Sequence, residues 1–223
     1  MNQSNKTPKH LTINTASSYQ GLSVNNNHGM VVQYLDRTKI VLDNALQQFP
    51  RTLVINFGLS FPQSWEGSCV HADVINRSIS LFFKNFEREV DKVLAERRGQ
   101  GKRVHPNCIR YVWARERGSS LNPHYHVAIF LNADCFRGTG AYDLASNSIA
   151  SSIQIAWNKA LYLDSFLSYG LVHFPQNSEY RVDSNSMLYP KQYGDVINRL
   201  SYYCKITTKE YSSAHRNFGY SLK

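Results

Sequence analysis

No stretch of this chain approaches the roughly 18 consecutive apolar residues needed to cross a bilayer, which sets aside a helical membrane protein. Its opening residues, MNQSNKTPKHLTINTASS, lack the apolar core of a secretion signal, so the product is expected to stay in the cytoplasm. Cysteine is sparse: Cys69, Cys108, Cys135 and Cys204 stand far apart with no CxxC spacing. That argues against a zinc finger or dithiol redox centre and for free, mostly buried thiols. Acidic residues are too few to balance the basic ones, sixteen Asp and Glu against twenty-five Lys and Arg, leaving a formal charge of +9. A surplus of that sign favours polyanionic partners, nucleic acid first. The chain also lacks GxxxxGK[ST], the phosphate loop of a nucleotide-driven motor.

What remains is an ordinary globular composition, 223 residues with 42% hydrophobic side chains, enough for one substantial core. Residues 1–30 are polar and are expected to form a flexible tail, with one domain over 31–223. Between Tyr34 and Phe49 the apolar Leu35, Leu42, Leu46 and Phe49 fall near helical spacing, and Pro50 ends the pattern. Leu53, Ile55, Phe57 and Leu59 then alternate with Val54, Asn56, Gly58 and Ser60, the period of a strand with one apolar face. A long amphipathic helix follows over 76–98, then a basic loop, ERRGQGKRVHPN, able to touch a phosphate backbone. CIRYVWARE and HYHVAIFL read as antiparallel strands joined by the turn RGSSLNP. Another helix contains Ile149 to Leu161, GLVHFP and EYRVD are weaker strands, and a final helix is expected from about Asp195 to Tyr211.

The sharpest chemical signal is His124-Tyr125-His126. Residues two apart on a strand share a face, so the two imidazoles can converge on one metal ion. Glu116 ends the preceding strand, and antiparallel pairing would carry its carboxylate back to them. A His, His, carboxylate set with open positions suits Mg²⁺ or Mn²⁺ held against a phosphate.

On the final helix, Val196, Ile197, Leu200, Tyr203, Cys204 and Thr207 project to one side. Asn198, Tyr202, Lys205 and Lys209 project to the other. Tyr203 therefore belongs to the core, while Tyr202 points away from it beside Lys205, a cation able to neutralise a nearby phosphate. Such a tyrosine can attack a phosphodiester and form a covalent phosphotyrosine.

A strand, an HxH strand and then a YxxK helix is the motif order of HUH replication initiators with a single catalytic tyrosine. FPRTLVINFGLSFP, WARE followed by NPHYHVAIFLN, the YYCK helix and the terminal RNFGYS resemble more narrowly the inovirus-type replication protein family, also called the YagK/YfjJ C-terminal domain family. The resemblance implies an α+β fold, a central antiparallel sheet with flanking helices of the RRM/ferredoxin-like kind. It further implies a divalent ion on His124, His126 and Glu116. Tyr202 would be the nucleophile that nicks single-stranded DNA at an origin or hairpin to start rolling-circle replication, with Lys205 assisting. DNA contacts are expected from Arg115, Lys209 and the first strand, where relatives often carry Arg and Asp at the positions of Asn56 and Gly58 and Arg at that of Ser60. Unwinding and synthesis would fall to a host helicase and polymerase in a bacterial cell.

Two other readings use the same residues. A DNA-binding regulator could keep the architecture without cutting, and a zinc hydrolase could use the histidines with water as nucleophile.

Overall fold

Leu53, Ile55, Phe57 and Leu59 do build a strand, and both of its faces are buried, with Val54 and Asn56 on the second face fully enclosed. The computed structural model describes residues 8–25, 27–66, 71–118, 122–164, 170–212 and 215–222. Its strands are β1 (Ile13–Asn14), β2 (Ser18–Tyr19), β3 (Leu22–Ser23), β4 (Met30–Val31), β5 (Arg51–Leu59), β6 (Arg110–Glu116), β7 (His124–Asn132), β8 (Val172–His173), β9 (Glu179–Asp183) and β10 (Phe218–Tyr220). Its α-helices are α1 (Val32–Gln48), α2 (Ala72–Gly99), α3 (Ile149–Ala160) and α4 (Tyr189–Ser201).

The main sheet is antiparallel throughout, in the order β10-β6-β7-β5, with β8 and β9 pairing opposite ends of β5 on its far side. From β5 to β9 the chain is therefore a βαββαβ unit with strand order β6-β7-β5-β9, the ferredoxin-like arrangement. This is the α+β fold expected from the sequence. Helices α2 and α3 cover one face, packing Phe82, Phe86 and Trp157 against Phe57, Val127 and Ile129. On the other face α1 and α4 pack Leu42 and Leu200 over Val54, Val112, Ala128 and Phe130. Strands covered on both faces are usually apolar throughout, and β5 reads as one-sided because its second face carries the buried polar Asn56. No described helix is long and apolar enough to cross a membrane.

Three expectations need correction. The polar segment 8–30 is not a bare tail: β1 pairs β4, β2 pairs β3, and Val24 and Met30 are buried. Residues 1–7 lie outside the described ones.

The last helix runs from Tyr189 to Ser201, not from Asp195 to Tyr211, and Tyr202–Cys204 form a 3₁₀ turn. Beyond it, Lys205 pairs its backbone with Met30, and the Ile206 N–H donates to Gly29 O at 3.0 Å. Ile206, Thr207 and Thr208 are β-branched and poor helix formers, so this tertiary pairing outcompetes a further helical turn. Thr207 is exposed as a result.

The described thiols are free, as expected, but they are not mostly buried. Cys204 is fully buried and burial pushes its thiol up to about 12. Cys108 and Cys135 are free but half-buried, and Cys69 falls outside the described residues.

Candidate metal centre

The β6–β7 register sets the site. Glu116 lies directly opposite His124, and His126 lies opposite Ala114, so all three side chains leave the same sheet face. Glu116 Oε2 is 3.9 Å from His124 Nε2 and 3.5 Å from His126 Nε2. One ligand atom from each of the three lies within 4.8 Å of the others. Two donors sharing one ion at about 2.1 Å each stand no more than about 4.2 Å apart, so both carboxylate–imidazole separations fit a shared ion. This group could hold a metal ion.

Glu116 is almost fully enclosed, yet it is surrounded by donors. Lys205 Nζ is 2.9 Å from Oε2, Lys209 Nζ is 3.5 Å from Oε1, and the Thr208 hydroxyl donates to Oε2 at 2.9 Å. Burial alone would raise its pKa. The His126 hydrogen bond, the Lys209 charge and the Lys205 hydrogen bond outweigh burial and hold the carboxyl well below the usual carboxylate range. Lys209 is pulled down by burial, with Glu116 opposing. His124 is lowered by burial and by its neighbour His126, with Glu116 acting the other way.

Tyr202 caps α4 and is half-buried beside this cluster. Its ring meets the His126 imidazole edge-on, centroids 5.5 Å apart at 83°, and Lys205 Nζ lies 3.8 Å from its centroid. Tyr203 is buried in the core, as its core-facing position in the sequence implied. Its hydroxyl donates to Asn56 Oδ1 at 3.0 Å or Val127 O at 3.2 Å, and its ring stacks on His126 at 5.6 Å. Burial raises the Tyr203 phenol far above its ordinary value.

The structure brings Tyr202, Lys205, His124, His126 and Glu116 together but not the expected DNA contacts. Asn56 is wholly buried, accepting from Tyr203 and donating to Ser178 O at 3.3 Å, so it serves the core and cannot meet DNA. Arg115 leaves the opposite sheet face from Glu116, buried by Tyr125 and 3.8 Å from Glu210. Lys209 is enclosed on Glu116. Ser60 alone of the four is exposed. In the basic loop, α2 extends through Gly99, and Arg97 donates to Cys135 O at 2.8 Å.

Sequence reasoning missed Thr208, whose φ of +64° is rare for a β-branched residue and points its hydroxyl at Glu116. No local signal marks it, because the segment reads as helix.

Comparison with known proteins adds a family. The model of the YagK/YfjJ C-terminal domain matches residues 14–221. The uncharacterized protein YagK of Escherichia coli (strain K12) is 27% identical over 208 residues, covering 92% of this chain and 97% of YagK. The uncharacterized protein YfjJ of the same strain is 28% identical over 193 residues, covering 84% and 93%. No solved structure gives a significant match.

Proposed function

The chain belongs to the YagK/YfjJ C-terminal domain family, and we propose that it is a metal-dependent tyrosine endonuclease of the HUH class. In this reading it nicks single-stranded DNA at an origin or hairpin and so starts rolling-circle replication in the cytoplasm of a bacterial host. The observation that carries the reading is the edge-on approach of Tyr202 to His126, 5.5 Å between rings, on a histidine that shares a candidate ion site with His124 and Glu116.

The chemistry follows from these side chains. The Tyr202 phenolic oxygen attacks the phosphorus and the bond to the 3′ oxygen breaks. The phenolic proton ends on that oxygen through solvent, and the 5′ phosphate stays on Tyr202. The free 3′ hydroxyl then serves a host polymerase, with a host helicase opening the duplex. Glu116, His124 and His126 would hold Mg²⁺ or Mn²⁺, which would supply Lewis-acid stabilisation of the phosphate. Lys205, packed on the Tyr202 ring and on Glu116, holds both in place. Tyr203, locked to Asn56, fixes the backbone at Tyr202.

A second reading, a non-cleaving DNA-binding regulator, draws on one feature: Glu116 is already satisfied by Lys205, Lys209 and Thr208, as a purely structural carboxylate would be.

The test is incubation with labelled single-stranded DNA from the regions flanking the gene, with Mg²⁺ or Mn²⁺, followed by denaturing gels and mass spectrometry. A covalent adduct on Tyr202, absent in Tyr202→Phe and with chelator, is expected. Binding without cleavage would favour the regulator, and cleavage that persists in Tyr202→Phe would favour water as nucleophile.

A further inference from the structure

A bare strip lies beside the candidate metal centre on the same sheet face. Gly58 of β5 pairs with His126 of β7 on one side and with His173 of β8 on the other. Directly opposed residues share a face, so His126 and His173 project together with a glycine between them. Adjacent strands lie about 4.8 Å apart, so the two histidine backbones are about 10 Å apart across an uncovered floor. A Cβ at Gly58 would meet only ordinary contacts, the nearest His173 Cβ at 3.7 Å. Crowding therefore does not demand glycine here; its consequence is an open floor.

Arg199 lies in the last turn of α4, three residues before Tyr202 and four before Tyr203, on the same side of the helix. The Tyr203 ring stacks on His126 and its hydroxyl donates to Asn56, two residues along β5 from Gly58, which brings this end of α4 over the strip. The Arg199 Nε is buried without a hydrogen-bond partner, and no salt bridge reaches Arg199 among the described residues. The lysines of the neighbouring centre differ: Lys205 and Lys209 are on Glu116. A half-buried guanidinium with no anion carries a desolvation cost that a phosphodiester oxygen would offset, with the planar fork suited to two such oxygens.

We propose that Arg199 and His173, across the floor at Gly58, form a phosphate-binding strip for the DNA backbone next to the phosphate attacked by Tyr202. The strand then crosses the sheet face from His126 towards β8. Contacts of this kind set register and orientation and carry no base preference. The inference rests on the single-stranded DNA reading above.

Fluorescence anisotropy with labelled oligothymidylate, in chelator and over a range of NaCl, tests it. Arg199→Gln is expected to weaken binding about 5- to 20-fold at low salt and to reduce the slope of log affinity against log salt by about 0.7, one single-strand phosphate contact. Arg199→Lys keeps the slope, which a purely structural arginine would not require. Gly58→Val, a good strand former on extended backbone, should melt like the wild type yet bind at least about tenfold more weakly by filling the floor.

Wild-type affinity and slope in Arg199→Gln, wild-type binding in Gly58→Val, or no oligothymidylate binding by the parent protein each overturn the strip. If the Tyr202 adduct forms while these variants bind normally, only the strip fails. If binding responds to both variants but no adduct forms, the strip stands and nicking fails.

Discussion

Lys205 Nζ lies 2.9 Å from Glu116 Oε2, so the lysine of the YxxK pattern is turned towards the candidate metal carboxylate. With Lys209 on the other oxygen, Glu116 is a buried anion between two buried cations. That arrangement tolerates loss of the whole set better than loss of one partner.

Lys209→Met should therefore lower stability by about 3 kcal/mol, the low end for a broken buried pair because Lys205 remains. Adding Glu116→Gln should give a total loss smaller than the sum of the two single losses, because the single Glu116→Gln strands two buried lysines and the double variant only Lys205. Urea unfolding of both single variants and the double variant measures the coupling, and additive losses would show that the pair is not coupled.

Acid should destabilise the fold in two steps. The folded His124 pKa lies below its ordinary 6.5, so the unfolded chain binds more protons and stability falls as pH drops below about 6.5. The folded Glu116 pKa lies below its ordinary 4.5, so its contribution is present above that value and is lost as pH falls from there through the folded pKa. Because burial also lowers His215, urea unfolding across pH should show His124→Asn shrinking the upper step and Glu116→Gln the lower. Unchanged pH profiles in both would remove these residues as the cause.

The adjacent tyrosines should separate stability from chemistry. Tyr203→Phe leaves the buried Asn56 Oδ1 without its donor and should cost about 1–3 kcal/mol. Tyr202→Phe should stay within about 0.5 kcal/mol of the wild type while abolishing the DNA adduct. Thermal melting beside the gel assay reads both, and the reverse pattern would exchange their roles.

A Cβ at Gly219 would run into the Trp113 indole across the β10–β6 pair. Gly219→Ala should cost about 1–3 kcal/mol by overpacking. In a chain of this length that is a fall of about 2–4 °C in melting temperature per kcal/mol. A wild-type melting curve would mean that the indole moves aside freely.

Manganese offers a readout independent of DNA. At one hundred times its Kd, bound Mn²⁺ should stabilise the protein by about 2.7 kcal/mol, seen as a rise in melting temperature that EDTA reverses. His126→Ala should lose the rise. A chelator-insensitive melting temperature in the parent protein would count against the ion site.

The sequence was informative where the pattern is local. HxH on a strand and a carboxylate at the end of its hairpin partner are linked by register, so Glu116, His124 and His126 were readable together. The split between Tyr202 and Tyr203 was readable as well, since both follow the helical phase of α4 closely enough. Asn56, Arg115 and Lys209 were misread because a polar residue on a strand or helix looks solvent-facing until the layer that covers it is known. Here α1 and α4 cover the face that carries Asn56, Tyr125 and Glu210 flank Arg115 on the other, and the turn after Cys204 folds Lys209 inwards.

The sequence alone determined periodicity and the order of elements, hence the antiparallel α+β sheet and the convergence of its HxH strand with Glu116, because these depend on neighbours close along the chain. Only the tertiary structure decided where α4 stops, which lysines enclose Glu116, and that Thr208 joins them. Those outcomes rest on contacts between Gly29–Met30 and Lys205–Ile206, segments far apart in sequence whose pairing outweighs the weak helical preference of three β-branched residues.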